Sequence, residues 1–280
     1  MKAGHRPKRG NKQLIGSILM VLIVVLFLLP LFLVVTNSFK SNVDYMTSII
    51  SFPKAFYLDN YKYIFREIDY ARVYFNSIAI VILSMLGIIL TSSAAASKVA
   101  RYTGRFNSFI YYLLLLNMII PFQARILPLM SLVGSLRLSN SLWGMSLLHI
   151  ATLSPPVFFM YTGAMKTIPV ELEEAARIDG AGHGCTFFRI VLPLLKPMTM
   201  TVCVLFGLVV WNSFLLPMLM LNSPRVQTIP LVIFKFFSTY GVNWVAMFAS
   251  IIVGTLPIFF VFLLLQRHVV SGVTAGGVKG

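Results

Sequence analysis

Glu171-Leu-Glu-Glu-Ala-Ala-Arg-Ile-Asp-Gly-Ala-Gly182, followed after a short gap by Ile190-Val-Leu-Pro193, is an acid-rich island between two long apolar runs. It holds half of the chain's 8 carboxylates: Glu171, Glu173, Glu174 and Asp179. The rest, Asp44, Asp59, Glu67 and Asp69, share one earlier polar segment. Ile168-Pro169 offers a helix start, because the N–H that proline lacks is not needed at the first helical position. The three glutamates then fall in the opening turns, where negative charge complements the helix dipole. Leu172, Ala175, Ala176 and Asp179 recur at helical spacing and predict a face of mostly small side chains, open to close approach by a partner. Gly180 can take the left-handed conformation that ends a helix, and Gly182 and Gly184 keep the turn loose. A second short helix is expected next, with Phe187, Ile190, Val191 and Leu194 on one side and Pro193 and Pro197 at its end. The bland alternative is an ordinary solvated helical hairpin. Its place inside an apolar chain favours a surface presented to a soluble partner.

Outward from this island the chain reads as a membrane protein. Hydrophobic residues make up 58% and charged residues 11%, a balance that polar surface cannot cover in water. A membrane span needs about 20 mostly apolar residues. Six runs qualify: 14–36, 73–97, 106–129, 142–165, 198–221 and 245–266. They are apolar on all sides rather than alternating, which excludes barrel strands. The expected fold is all-α and polytopic: six transmembrane helices, with the hairpin as a loop over 166–197.

Lysine and arginine near the span ends give the orientation. The tail 1–13 carries Lys2, Arg6, Lys8, Arg9 and Lys12. Lys98, Arg101 and Arg105 follow the second run, Lys166, Arg177, Arg189 and Lys196 follow the fourth, and Arg267 opens the tail 267–280. With six spans all of these share one side, the cytoplasm, so both termini and the acid-rich loop are cytoplasmic. The net charge of +15 does not read as nucleic-acid binding, because it is scattered among loops. The first run is too long for a cleavable signal and lacks a small-residue cleavage site, so it stays as a span. Cys185 and Cys203 suggest neither a disulfide nor a metal site.

The energy source follows from what the spans lack. No Asp, Glu, Lys or Arg sits well inside them, and Arg125, near the outer end of the third, is expected to snorkel outward. Ion-coupled carriers need buried ionisable groups or broken helices near the bilayer centre. No Gly-x-x-x-x-Gly-Lys phosphate loop is present, and no catalytic constellation or metal-ligand set. His149 is the only span residue that titrates near neutral pH, and a lone histidine is more often a packing residue than a ligand. A pump with neither motor nor ion relay takes its energy from a partner.

The island resembles the EAA loop of ABC-importer permeases, whose spacing is Glu-Ala-Ala, three residues, Gly, nine residues, Ile, one residue, Leu-Pro. Glu174, Ala175, Ala176, Gly180, Ile190, Leu192 and Pro193 occupy every fixed position. In that family the loop is a cytoplasmic helix-turn-helix that docks on an ATPase. The resemblance therefore implies that Leu172, Glu174, Ala175, Ala176, Asp179 and Gly180 couple this chain to a pair of ATP-binding cassette subunits. It also implies a second permease subunit, a different chain, and an extracytoplasmic solute-binding protein. ATP is used by the partners, no cofactor is bound by this chain, and the membrane is the cytoplasmic (inner) one of a bacterium or archaeon.

The resemblance continues in Thr36-Asn-Ser-Phe-Lys40, Asn60-Tyr61, Asn76-Ser77, Trp211-Asn212 and the ending Gln266-Arg267 through Thr274-Ala-Gly-Gly-Val-Lys-Gly280. These are similar to permeases of carbohydrate importers, in particular the second permease of the maltose-importer type. Ser97-Lys98 departs from the family pattern and puts the local packing there in question. A sugar pathway favours aromatic faces and neutral amides, so Asn117, Gln123, Trp211, Asn212 and Ser213 are the candidates by type and depth. Each also has a structural reading as an interhelical hydrogen bond. Pro121, Pro155-Pro156 and Pro217 are expected to kink their spans. The aromatic segment over 37–72 reads as an interfacial belt or as part of a receptor-docking surface. Three alternatives stay open: the same machine carrying a glycerol phosphate ester, an ion-coupled secondary transporter, and a membrane enzyme or scaffold, which would leave the EAA spacing unexplained.

Overall fold

A computed structural model describes residues 11–238 and 241–277, so Lys2, Arg6, Lys8 and Arg9 of the basic tail lie outside the described residues. The chain divides into two compact units, 1–68 with 233–255 and 69–232 with 256–280.

In the first unit, α1 (Asn11–Ser38) is apolar on every side. Within Leu14–Ser38 its most apolar 18-residue window has a mean hydropathy of 3.5, and none of that window is buried. A helix this apolar, with no packed face in its own chain along that window, fits a membrane span. Its C-terminal end is bound into a polar clamp. Asn37 Nδ2 donates to Leu33 O at 2.7 Å and Ile49 O at 3.0 Å. Lys40 is wholly enclosed, and its Nζ donates to Ser48 O at 2.8 Å and Ile49 O at 3.2 Å. Burial pushes the Lys40 pKa down, against the opposing pull of the Asp44 charge. Two short helices, α2 (Asn42–Thr47) and α3 (Asp59–Glu67), flank this clamp. From α3, Asn60 Nδ2 donates to Ser38 O and Lys40 O, both at 2.8 Å, and Tyr61 Oη lies 2.9 Å from Ser38 Oγ. Thus Asn37, Lys40 and Asn60, singled out in the sequence, satisfy carbonyls at the end of α1 and in the irregular backbone that follows it, while Tyr61 meets the Ser38 hydroxyl. A two-residue antiparallel ladder, β1 (Phe237–Ser238) with β2 (Gly241–Val242), precedes the long helix α14 (Trp244–Gly277).

The second unit is organised by α4 (Tyr70–Arg101) and α7 (Leu142–Met165), which pack along each other. Small buried residues of α4, namely Ser84, Ser92, Ser93 and Ala96, let the two backbones approach. Ser92 Oγ donates to Ser154 O at 3.1 Å, and Thr91 Oγ1 lies 3.1 Å from Ser154 Oγ. A core of Ile88, Val157, Phe158, Tyr161, Met165 and Val202 joins these helices to α11 (Lys196–Trp211). Pro155 and Pro156 lie inside α7, which runs through them as one helix. Gly144 near the start of α7 faces the Leu138 carbonyl and the Met220 side chain so closely that a Cβ would collide with both. Asn76 Nδ2 donates to Arg225 O and Gln227 O at 3.0 Å each, while Ser77 Oγ accepts from Ile229 N at 3.0 Å. That pair fastens the start of α4 to the loop that enters α13 (Ile229–Phe234).

Two of the apolar runs are not single helices. The run 106–129 becomes α5 (Arg105–Ile119) and α6 (Phe122–Ser135), which meet at 108°. Pro121 supplies no N–H and disfavours helical geometry in the residue before it, and Ile120 is accordingly extended at φ −72° and ψ 119°. The run 198–221 is interrupted too. Here α11 (Lys196–Trp211) stops, the chain turns at Asn212 and Ser213, and α12 (Leu215–Met220) restarts it. Asn212 Nδ2 bonds back to Leu208 O at 2.9 Å, the local competition by which Asn ends a helix. Among the described residues, four helices are long and apolar enough to cross a membrane, or up to six if α5 with α6, and the segment His183–Leu194 with α11, each count as one bent span.

Candidate functional site

The acid-rich island folds as α8 (Glu171–Ile178), starting two residues after Pro169. Glu173 N and Glu174 N both bond Val170 O, at 2.9 and 3.1 Å, which closes the first turn beneath the three carboxylates. Gly180 ends the helix with φ +84°, the backbone region that glycine enters without a Cβ penalty. Ala181 N reaches Ala176 O at 2.9 Å and Gly180 N reaches Arg177 O at 3.0 Å. Those two bonds make a Schellman closure and satisfy carbonyls that the helix end leaves free.

The helix has two faces. Glu173 and Ala176 are buried, while Leu172, Glu174, Ala175 and Asp179 are exposed. The expected small-residue face is therefore corrected at one position: Ala176 belongs to the inner face. The partner that turns Glu173 inward was not visible in the sequence. Arg101, in the last turn of α4, donates Nε to Glu173 Oε1 at 2.8 Å and Nη2 to Ile168 O at 2.7 Å. Both side chains are about a tenth exposed, 11% for Arg101 and 9% for Glu173. A buried ion pair of this kind is costly to break from one side, by about 3–5 kcal/mol, because it strands the other charge. The island is thus fastened to α4 by its inner carboxylate and presents Glu174 outward. One turn on, Arg177 Nη2 donates to Tyr102 Oη at 2.7 Å.

The second arm begins as α9 (His183–Thr186), passes through one π-helical turn, Phe187–Val191, and continues as α10 (Leu192–Leu194). Pro193 offers no N–H to the turn before it, and Leu192 N bonds Phe187 O five residues back. Val191 and Leu195 are buried in the same core as Met165 and Ile168, so this arm is anchored by apolar packing. The arm and α11 then diverge by 71°. Between α4 and the two arms lies an open cavity of about 560 Å³.

Of the candidate pathway residues, Trp211 and Ser213 line a common cavity, and Asn117, Gln123 and Asn212 are not among its lining. Asn117 Oδ1 accepts from Arg125 Nη1 at 2.8 Å across the break between α5 and α6. Arg125 therefore folds back rather than snorkelling, and its Nε is buried without a protein partner. Gln123 and Asn212 are exposed. Trp211 is buried, and it lines with Ser213, His149, Ser77 and Thr228 a cavity of only about 10 Å³. His149 Nε2 and Thr228 Oγ1 are buried there without a protein partner. That volume admits about one water molecule. Among the described residues, no group of three or more His, Cys, Asp or Glu side chains could hold a metal ion. Cys185 is exposed and Cys203 half-buried, both as free thiols.

Comparison with known proteins agrees with this architecture. Residues 84–275 match the family described as binding-protein-dependent transport system inner membrane component. The chain is 37% identical over 259 residues to the multiple sugar-binding transport system permease protein MsmG of Streptococcus mutans, covering 91% of this chain and 93% of that one. It is 35% identical to the probable starch degradation products transport system permease protein AmyC of Thermoanaerobacterium thermosulfurigenes, over 92% and 94% of the two chains. With the melibiose/raffinose/stachyose import permease protein MelC of Bacillus subtilis the identity is 32%, over 98% and 100%. The fold matches a subunit of a bacterial ABC transporter involved in the import of the acidic polysaccharide alginate, with a TM-score of 0.82 at 16% identity, over 95% and 99% of the chains.

Proposed function

The chain belongs to the family of binding-protein-dependent transport system inner membrane components, and from that premise we propose that it is one permease half of an ATP-driven sugar or oligosaccharide importer. The observation that carries this reading is α8: an exposed Glu174, a left-handed Gly180 stop, and a buried ion pair that locks the helix to a long apolar span. A helix fastened this way moves as a lever with α4. Two ATPase subunits that close on ATP would push on Leu172, Glu174, Ala175 and Asp179, and α4 would carry the motion into the bundle. Gly180 and Ala176 shape the helix rather than touch the partner.

The sugar assignment is supported by the relatives named above for sugars and starch products, matched over nearly their whole length. A sister permease completes the pathway, and an extracytoplasmic binding protein delivers the solute. Arginine and lysine distribution supports cytoplasmic termini and a cytoplasmic α8. The chain carries no phosphate loop of its own, so ATP is bound by the partners.

Arg125 gives the anionic-solute alternative, a glycerol phosphate ester, one specific support: a cation within α6 whose Nε has no protein partner. Uptake separates the readings. Cells lacking this chain and then complemented with it are tested with labelled raffinose, maltotriose and glycerol 3-phosphate. Restored oligosaccharide uptake that survives collapse of the proton gradient at constant ATP is the expected result. Restoration of glycerol 3-phosphate uptake alone moves the solute class, and rapid loss with the gradient moves the energy source to an ion-coupled carrier.

A further inference from the structure

We propose that the cavity between α4 and the two arms of the acid-rich loop is a binding site for a phosphate group. Its volume of about 560 Å³ falls in the range of small-molecule sites. Lys98, Arg101, Arg177 and His183 line it, against a single carboxylate, Glu173. That carboxylate is committed to Arg101. Lys98 and Arg177 form no ion pair among the described residues, so two cations converge on one concavity without a counter-charge. Such an excess attracts an anion into a confined space more strongly than the same charges spread over a flat loop.

The chemistry of the lining fits phosphate better than an isolated carboxylate. A guanidinium fork and an ammonium can share several oxygens of one tetrahedral group. Tyr102 Oη accepts from Arg177 Nη2 at 2.7 Å and holds the guanidinium at the rim. Ser97 and Thr186, also in the lining, spend their hydroxyl hydrogens on Ala94 O and Gly182 O, at 2.9 and 3.2 Å. Lys98, Tyr102, Arg177 and His183 are exposed, so the cavity opens to the loop surface. An occupant would lie behind α8, against the ion pair that holds it, where it could stiffen the lever.

The phosphate has two sources, a soluble phosphate ester or an anionic lipid headgroup, and one experiment distinguishes them. The intact transporter, this chain with its co-purifying subunits, is placed in phosphatidylcholine nanodiscs with its nucleotide sites filled by ADP. Radiolabelled inorganic phosphate is titrated onto the parent and onto a Lys98→Gln/Arg177→Gln variant, with Lys98→Arg as the charge-preserving control. Saturable binding that weakens about tenfold or more in the double variant, the loss expected for charged hydrogen bonds, and persists in Lys98→Arg assigns a soluble phosphate. Absence of that binding, with phosphatidylglycerol nanodiscs raising the Tm of the parent but not of the double variant, assigns a headgroup. If parent and double variant behave alike in both arms, the proposal is overturned. Binding is read directly, so failure here leaves the transport reading untouched.

Discussion

Arg101 and Glu173, 72 positions apart in the chain, meet at 2.8 Å and join the end of a long apolar helix to the acid-rich loop. The pair converts a polar hairpin into part of the span. The two substitutions are predicted to be unequal. Arg101→Gln strands a buried carboxylate and loses the bond to Ile168 O, and should cost about 3–5 kcal/mol. Glu173→Gln keeps an acceptor for Arg101 and should cost less. Thermal unfolding of the purified complex checks the order, and ATP-driven uptake should fall further than ATP hydrolysis in both variants.

Gly180 is the second point of stress. At φ +84° an L side chain costs roughly 1–2 kcal/mol. Gly180→Val should lower Tm and uptake together, whereas Gly180→Asn, whose side chain tolerates this region, should keep most of both. Equal loss in the two variants would mean that space, rather than backbone conformation, demands glycine here, although nothing lies within 4 Å of a Cβ built at that site.

Asn60 tests the clamp that follows α1. Its amide donates two buried hydrogen bonds, to Ser38 O and Lys40 O. Asn60→Ala leaves both carbonyls without that donor and should destabilise by about 1–3 kcal/mol. Asn60→Asp removes the donor while keeping the size and should be no better. If the clamp serves folding alone, solute uptake per folded molecule should stay unchanged. Melting of the reconstituted protein against specific uptake separates these effects.

Arg125 and Asn117 bridge the 108° break between α5 and α6. Arg125→Gln keeps hydrogen-bonding capacity but removes the cation. If the solute is a neutral sugar, the KM for uptake should change less than twofold. A large rise confined to an anionic solute would show that the cation reads charge.

Much of this was legible in sequence, and the limits are physical. The helix Glu171–Ile178 and its Gly180 stop depend on local chemistry, carboxylates in a first turn and a residue free to enter left-handed space, so both could be read. The run 142–165 could be read from its length and apolar character, and Pro155 and Pro156, expected to kink it, lie within one unbroken helix. The break at Pro121 was expected only as a kink. Its 108° angle depends on what α5 and α6 pack against, which no local signal carries. Arg101 read as one more cytoplasmic cation, because a pairing between residues 101 and 173 has no periodic signature. Asn37, Asn60 and Asn76 stood out as markers of resemblance, and the structure gives their reason: each bonds a main-chain carbonyl of irregular backbone. Trp211 was assigned to a pathway by residue type, yet its side chain is buried within its own subunit.

The central claim is that exposed Glu174 docks on an ATPase while the rest of the island holds the fold. The most direct test is affinity purification of the full chain from its native membrane in mild detergent, parent beside Glu174→Lys, with mass spectrometry of what accompanies each. Glu174 is exposed and forms no ion pair among the described residues, so the variant should melt within a degree or two of the parent. The account predicts an ATPase with the parent, lost or strongly depleted with an equally folded Glu174→Lys. An ATPase retained in full by that variant, or absent from both folded preparations, would contradict it.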